Sequence, residues 1–62
     1  MAATFEVYRG RDKDWRWRLR HQNGRIIAES GEGYKAKVDA THGIDTVKTD
    51  APGAPVVEQP GG

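Results

Sequence analysis

Residues 15–21 read Trp-Arg-Trp-Arg-Leu-Arg-His, and this stretch decides the fold. Side chains along a β-strand alternate between its two faces. One face carries Trp15, Trp17 and Leu19, and the other carries Arg16, Arg18 and Arg20. A register shift by one residue would expose both tryptophans and bury arginine. The sequence therefore predicts a half-buried strand with an apolar core on one side and an arginine row on the other.

The residues before this stretch predict another strand, over 4–9. Apolar Phe5 and Val7 alternate there with Glu6 and Tyr8, which is the period of two typical of a strand. The charged segment between the two strands is too polar to be buried, so it is predicted to be a loop.

A third strand is predicted over 25–29, directly after the Asn-Gly dipeptide at 23–24. Asn-Gly is a strong hairpin signal because both residue types tolerate positive φ. Strict alternation places Ile26 and Ala28 on one face of this strand and Ile27 on the other.

The hydrophobic period becomes helical from Tyr34 to about Lys48. At about 100° per residue, apolar residues fall in one narrow stripe. The stripe contains Ala36, Ala40, Ile44 and Val47, with Gly43 at its border. Such small residues indicate a helix that lies close to the tryptophan face. The sequence thus predicts an α+β domain, a three-stranded antiparallel sheet with one helix packed on one face.

Residues 31–36 match the dinucleotide-binding pattern G-x-G-x-x-A between a predicted strand and a predicted helix. That pattern needs a parallel βαβ unit, whereas the strands here are predicted to be antiparallel. Glu32 would also repel a pyrophosphate. We therefore interpret the segment as a strand-to-helix turn whose glycines adopt positive φ, and we expect no cofactor.

Residues 51–62 differ in composition from residues 1–50, because they are rich in proline and glycine. We expect residues 1–50 to form one domain. The remainder is expected to be a Pro/Gly-rich segment, with a short strand at about 55–59 and a disordered end.

Several of these motifs occur together and in order. They are Phe-Glu-Val-Tyr at 5–8, Trp-Arg-Trp-Arg-Leu at 15–19, Asn-Gly at 23–24, Ser-Gly-Glu-Gly-Tyr at 30–34 and Gly-Ile at 43–44. In this order and spacing, residues 4 to about 50 resemble the YegP-like family of small uncharacterised proteins. At Lys35 the chain departs from the family pattern, in which a small hydroxyl residue often caps the helix.

The resemblance implies a β-β-β-α unit whose C-terminal strand is exchanged between two units. Since one such unit is present here, it implies a homodimer with Val56 and Val57 in the exchanged strand. Tyr34 and Val38 lie off the buried helix stripe, so we also expect them at the dimer interface. The resemblance implies no catalytic residue.

Composition independently favours self-association. A chain of 62 residues buries only about 60% of its unfolded surface. It contains no cysteine, so neither disulfides nor thiolate-bound zinc can reinforce the core. Three strands would also leave open sheet edges, which a second copy could cover.

Composition also bears on localisation and on membrane partners. No apolar run approaches the ~20 residues that a membrane span needs. Residues 1–4 show no signal-peptide pattern. We therefore expect a cytoplasmic protein with no membrane partner.

The arginine row is the strongest functional hint. The candidate contacts are Arg16, Arg18 and Arg20, joined by Arg25 and Tyr8 from neighbouring strands. Such a row could bind a protein partner, or contact phosphates and stack a base in a nucleic acid. It could also be a solvated face on which arginines pair with Glu6 and Glu29. A net charge of +1 favours a protein partner, because nucleic-acid readers are usually far more basic.

Enzyme chemistry has little support in the sequence. His21 and His42 are the two histidines, and a structural zinc site needs four ligands. A hydrolase built from Ser30, His42 and Asp39 would need a preformed pocket and an oxyanion hole. We therefore expect a non-enzymatic module without catalytic or metal residues, and keep an enzyme with a dimer-interface site as the alternative.

Overall fold

A computed structural model describes residues 2–61. Three strands form the sheet, β1 (Ala3–Arg9), β2 (Trp15–His21) and β3 (Ile26–Glu29). The helix α1 (Lys37–Asp50) follows, and a short 3₁₀ turn (Ala51–Gly53) ends it. The predicted α+β class is confirmed, and β2 has the bounds that its alternating pattern predicts.

The strands lie in the order β1-β2-β3, and both neighbouring pairs are antiparallel. Val7 lies opposite Trp17, and Glu6 lies opposite Arg18. Residues directly opposite each other share a face. The tryptophan face and the arginine face therefore both extend from β2 onto β1, as predicted.

A β-bulge interrupts the alternation in β3. Ala28 lies opposite Leu19, whereas Ile26 lies opposite Arg20, and the register shifts between these pairs. The extra residue Ile27 places Ile26 on the arginine side of the sheet. The prediction that Ile26 and Ala28 share one face is therefore wrong.

The β2–β3 turn explains why β3 begins one residue later than predicted. Gly24 has a φ of +91°, and its N–H donates to the carbonyl of His21 at 2.8 Å. The N–H of Arg25 donates to Asn23 Oδ1 at 2.9 Å. Arg25 thus belongs to the turn rather than to the strand.

The segment between β3 and α1 runs beside β2 instead of turning at its glycines. Tyr34 and Trp15 form an antiparallel bridge with N···O distances of 2.7 and 2.8 Å. Neither Gly31 nor Gly33 adopts the positive φ that we predicted. Because the bridge holds Tyr34 beside the sheet, α1 begins at Lys37 rather than at Tyr34.

The core lies between α1 and the tryptophan face. Its buried residues are Trp17, Ala40 and Ile44, surrounded by Phe5, Val7, Trp15, Tyr34 and Val47. The rings of Phe5 and Trp17 meet edge to face, with centroids 5.7 Å apart, a favourable geometry for aromatic pairs. The middle of the predicted helix stripe is confirmed.

The helix covers two of the strands. Within residues 2–61, α1 contacts β1 and β2 but not β3. All of β3 is exposed, and as an edge strand it presents backbone groups without a ladder partner. None of the described helices is long and apolar enough to cross a membrane.

The C-terminal segment, residues 54–59, is exposed and forms no strand within the single chain. The strand predicted at about 55–59 and its exchange between copies stay predictions. The predicted disordered end falls partly on Gly62, which lies outside the described residues.

Candidate interaction surface

The arginine face is formed by Tyr8, Arg16, Arg18 and Arg20, with Glu6 among them. Antiparallel pairing places Tyr8 opposite Arg16 and Glu6 opposite Arg18. Four of the predicted contact residues therefore lie together on one side of β1 and β2. Arg25 lies in the β2–β3 turn, at the end of this face.

Glu6 anchors two of the arginines. Arg18 Nε donates to Glu6 Oε1 at 2.7 Å, and Arg20 Nε donates to both carboxylate oxygens of Glu6 at 3.2 Å. The hydrogen bond from Arg18, and then that from Arg20, lowers the pKa of Glu6 below its usual value of 4.5. Glu6 therefore stays ionised in mildly acidic solution and holds both side chains.

Contacts with Tyr8 and Asp12 hold the other side chains of the arginine face in place. The Arg18 guanidinium carbon lies 4.5 Å from the centroid of the Tyr8 ring, within the range of a cation–π interaction. Arg16 Nη2 donates to Asp12 Oδ2 at 2.8 Å, which lowers the pKa of Asp12. Asp12 was not foreseen as a partner, because loop residues show no periodicity that places them.

Charge on the arginine face is nearly balanced. Glu6 is shared by two arginines, and Asp12 pairs with the third. The side chains of Arg16, Arg18 and Arg20 are 31%, 34% and 37% exposed. The face is thus a flat, ordered array of guanidinium groups rather than a field of uncompensated positive charge.

The exposed large apolar side chains belong to β3, α1 and the C-terminal segment, and one of them, Ile26, borders the arginine face beside Arg20. They are Ile26, Ile27, Val38, Val56 and Val57. Three of them belong to the predicted dimer interface. The fourth predicted member, Tyr34, is half-buried and packs against the core of its own chain. Its place at an interface stays a prediction.

Ser30 was considered as a nucleophile, and its side chain has a structural role. It is buried, and its Oγ accepts a hydrogen bond from the backbone N–H of Trp17 at 3.2 Å. Across residues 2–61, no cluster of three or more His, Asp or Glu side chains is arranged to hold a metal ion.

Comparison with known proteins identifies relatives over most of the chain. Residues 11–58 match the family model described as "Domain of unknown function (DUF1508)". A UPF0339 protein of Treponema denticola is 43% identical over 58 residues, which cover 94% of this chain and 98% of that protein. A UPF0339 protein of Methanosarcina acetivorans is 45% identical, with coverage of 89% and 93%. YegP is itself a UPF0339 protein, so these matches confirm the resemblance to the YegP-like family.

Two further matches bear on the fold and on the number of units. The "NMR solution structure of the protein from Haloferax volcanii" superposes with a TM-score of 0.89 at 51% identity, and the match covers 92% of this chain and 95% of that one. A longer relative is the "UPF0339 protein in ptx operon 5'region" of Stutzerimonas stutzeri. It is 42% identical over 84% of this chain, a match that spans 46% of its own length.

Proposed function

We propose that this protein, which belongs to the DUF1508 family of unknown function, works as a non-enzymatic homodimeric interaction module that binds a protein partner through its arginine face. The observation that carries the proposal is the array itself. Its guanidinium groups are fixed by Glu6, Asp12 and the ring of Tyr8 before any partner arrives. Side chains ordered in advance lose less conformational entropy on binding.

The array also retains binding capacity. Arg18 donates to Glu6 through Nε and lies against the ring of Tyr8, so its two terminal nitrogens are not used in the ion pair with Glu6. Tyr and Arg are the residue types enriched where protein interfaces derive most of their affinity. Carbonyl or carboxylate oxygens of a partner could therefore bind the terminal nitrogens of Arg18 without breaking its ion pair with Glu6.

Charge balance favours a protein partner over a nucleic acid. Binding to phosphates depends on basic residues whose charge replaces counterions. On the arginine face, Glu6 and Asp12 already compensate most of that charge. A nucleic acid would also meet the carboxylate of Glu6 at the centre of the face.

Pairing of two copies is supported by what the single chain leaves uncovered. β3 is an open edge strand that contains the exposed Ile26 and Ile27. The C-terminal segment carries Val56 and Val57, which are exposed in the single chain. An apolar extended segment and an open edge satisfy each other when the segment adds a strand. The Stutzerimonas relative, of which the match spans less than half, has room for a second unit in one chain.

Dimerisation is tested by light scattering on the full chain. We expect a mass near twice the 6.9 kDa of the chain. The double variant Val56→Ser/Val57→Ser should shift the population towards monomer, since both side chains are exposed in the single chain and their loss cannot weaken its core. Val38→Ser, on the exposed side of α1, tests whether the interface extends to the helix. A monomeric full chain would remove the homodimer from the proposal.

Partner binding is tested by affinity capture with three versions of the protein. The triple variant Arg16→Ser/Arg18→Ser/Arg20→Ser should lose the captured protein. The control Arg11→Ser/Lys35→Ser/Lys37→Ser removes the same charge from residues off the face and should retain it. Equal capture by all three versions would refute the proposal. Capture that nuclease treatment abolishes would instead assign the face to a nucleic acid.

A further inference from the structure

Among the described residues, the indole nitrogen of Trp17 is the buried side-chain polar atom that has no hydrogen-bond partner. Trp17 is 7% exposed, and its Nε1 is buried without a hydrogen-bond acceptor among residues 2–61. A buried donor without a partner costs roughly 1–3 kcal/mol relative to a bonded one. Buried tryptophans usually find an acceptor for this group.

Trp17 is also one of the residues that line an open cleft. The cleft has a volume of about 650 Å³ and runs between α1 and residues 33–35. Its mostly apolar lining includes Trp17, Tyr34, Asp39, His42, Gly43 and Val47. A largely apolar cleft with a few converging polar groups is the usual form of a small-molecule site.

Gly43 allows α1 to approach Tyr34 and Trp17 closely on one side of the cleft. A Cβ at this position would lie 2.8 Å from the Tyr34 hydroxyl and 3.2 Å from Trp17 Nε1. The absent side chain therefore leaves the indole N–H and the phenol hydroxyl beside the same point of the cleft. Both groups can donate a hydrogen bond.

We propose that this cleft binds a small uncharged molecule with a carbonyl oxygen on an apolar body, with the oxygen accepting a hydrogen bond from Trp17 Nε1. The apolar body would lie along Val47 and the rings of Trp17 and Tyr34. The charges in the lining do not favour an ion, because Lys35 and Asp39 carry opposite charges and Lys35 is already paired with Asp14 at 3.0 Å. The site is separate from the arginine face, which lies on the other side of the sheet.

The test is a titration of the ¹⁵N-labelled full chain with benzamide, followed by NMR on the two indole N–H resonances. The variant Trp15→Phe assigns them. We expect a saturable shift of the Trp17 resonance with a dissociation constant on the order of 1 mM, as for a fragment of this size. Toluene, which has a similar ring but no acceptor, should bind about tenfold more weakly.

Two variants locate the binding. Gly43→Ala places a methyl group against Trp17 Nε1 and should weaken benzamide binding at least about tenfold, whereas Gly53→Ala, with nothing within 4 Å of its Cβ, should not. If Gly43→Ala misfolds, Thr46→Phe covers the cleft from an exposed helix position, with Thr49→Phe as its control.

Two results would overturn the proposal. One is a Trp17 resonance that does not move at saturating benzamide. The other is a benzamide-induced shift of the Trp17 resonance that Gly43→Ala and Thr46→Phe both leave unchanged, because benzamide would then bind elsewhere. Neither result bears on the arginine face.

Discussion

Ser30 and Trp17 continue the β2–β3 pairing beyond the last residue of β3, with a side chain in place of one backbone group. The N–H of Ser30 donates to the carbonyl of Trp17 at 2.9 Å, and the N–H of Trp17 donates to Ser30 Oγ at 3.2 Å. The hydroxyl thus satisfies a backbone donor at the most buried position of β2 at the point where the chain leaves the sheet.

Ser30→Ala should therefore destabilise the protein by about 1–3 kcal/mol, because it leaves the buried N–H of Trp17 without an acceptor. In a domain of this size, each kcal/mol corresponds to a decrease in Tm of roughly 4–8 °C. Thermal unfolding followed by circular dichroism measures the change. Thr46→Ala is the control, since its hydroxyl bonds the His42 carbonyl in an exposed position. Equal Tm values for both variants would contradict this role of Ser30.

Gly33→Ala should be strongly destabilising, whereas Gly31→Ala should not. A Cβ at Gly33 would lie 2.6 Å from Asp14 Cβ and 2.7 Å from its Oδ2, whereas a Cβ at Gly31 meets nothing within 4 Å. The clash separates residues 33–35 from the β1–β2 loop and costs about 1–3 kcal/mol. Chemical denaturation of both variants measures it. A Gly33→Ala variant as stable as the wild type would show that the two segments move apart freely.

Lys13→Asn should raise the stability. Lys13 is exposed and has a φ of +67°, a conformation that costs a residue with a Cβ roughly 1–2 kcal/mol. Asn tolerates this conformation better through local hydrogen bonds, so we expect a gain of about 0.5–1 kcal/mol. Lys13→Ala lacks the side-chain amide that forms these local hydrogen bonds, so it should show no such gain in a urea titration. An equal gain in stability for Lys13→Ala would indicate that removing the lysine charge, and not relieving the backbone conformation, stabilises the protein.

Glu6→Gln should remove an acid-sensitive part of the stability. The hydrogen bonds from Arg18 and Arg20 lower the pKa of Glu6 in the folded state below 4.5. A carboxylate with a lowered pKa stabilises the fold above its unfolded pKa, and this stabilisation is lost as the pH falls through the folded value. Wild type should therefore exceed the variant in Tm above pH 4.5, and the difference should shrink in more acidic solution. Glu58→Gln, which removes the same charge from the exposed C-terminal segment, is the control.

The parts of the fold that were predicted from the sequence are those with a regular hydrophobic periodicity. β2 was predicted to the residue because apolar residues and arginine alternate from Trp15 to Arg20. The helix was predicted in its middle, from Ala40 to Val47, because its apolar residues recur at the helical period. The helical period was expected from Tyr34 onward, but α1 begins at Lys37 because Tyr34 pairs with Trp15 of β2 instead.

The remaining features depend on contacts between distant residues. The bulge at Ile27 and the hydroxyl of Ser30 both arise from how β3 meets β2, and neither leaves a local pattern. The arginine face was predicted as a row on β2 joined by Tyr8 and Arg25, with pairing to Glu6 as one alternative. The pair between Arg16 and Asp12 could not be predicted, because Asp12 lies in a loop, and the sharing of Glu6 by Arg18 and Arg20 depends on the register between β1 and β2.

The strand order β1-β2-β3 has a consequence for the folding pathway. Each strand pairs with the strand next to it in the chain, so the whole sheet assembles from two hairpins whose ends are few residues apart. Closing short loops is entropically cheap, and topologies rich in local contacts fold quickly. We expect the helix to dock on a sheet that is already formed. We therefore expect substitutions between α1 and the sheet, such as Ile44→Val, to accelerate unfolding more than they slow folding, and substitutions in the β1–β2 hairpin to do the reverse.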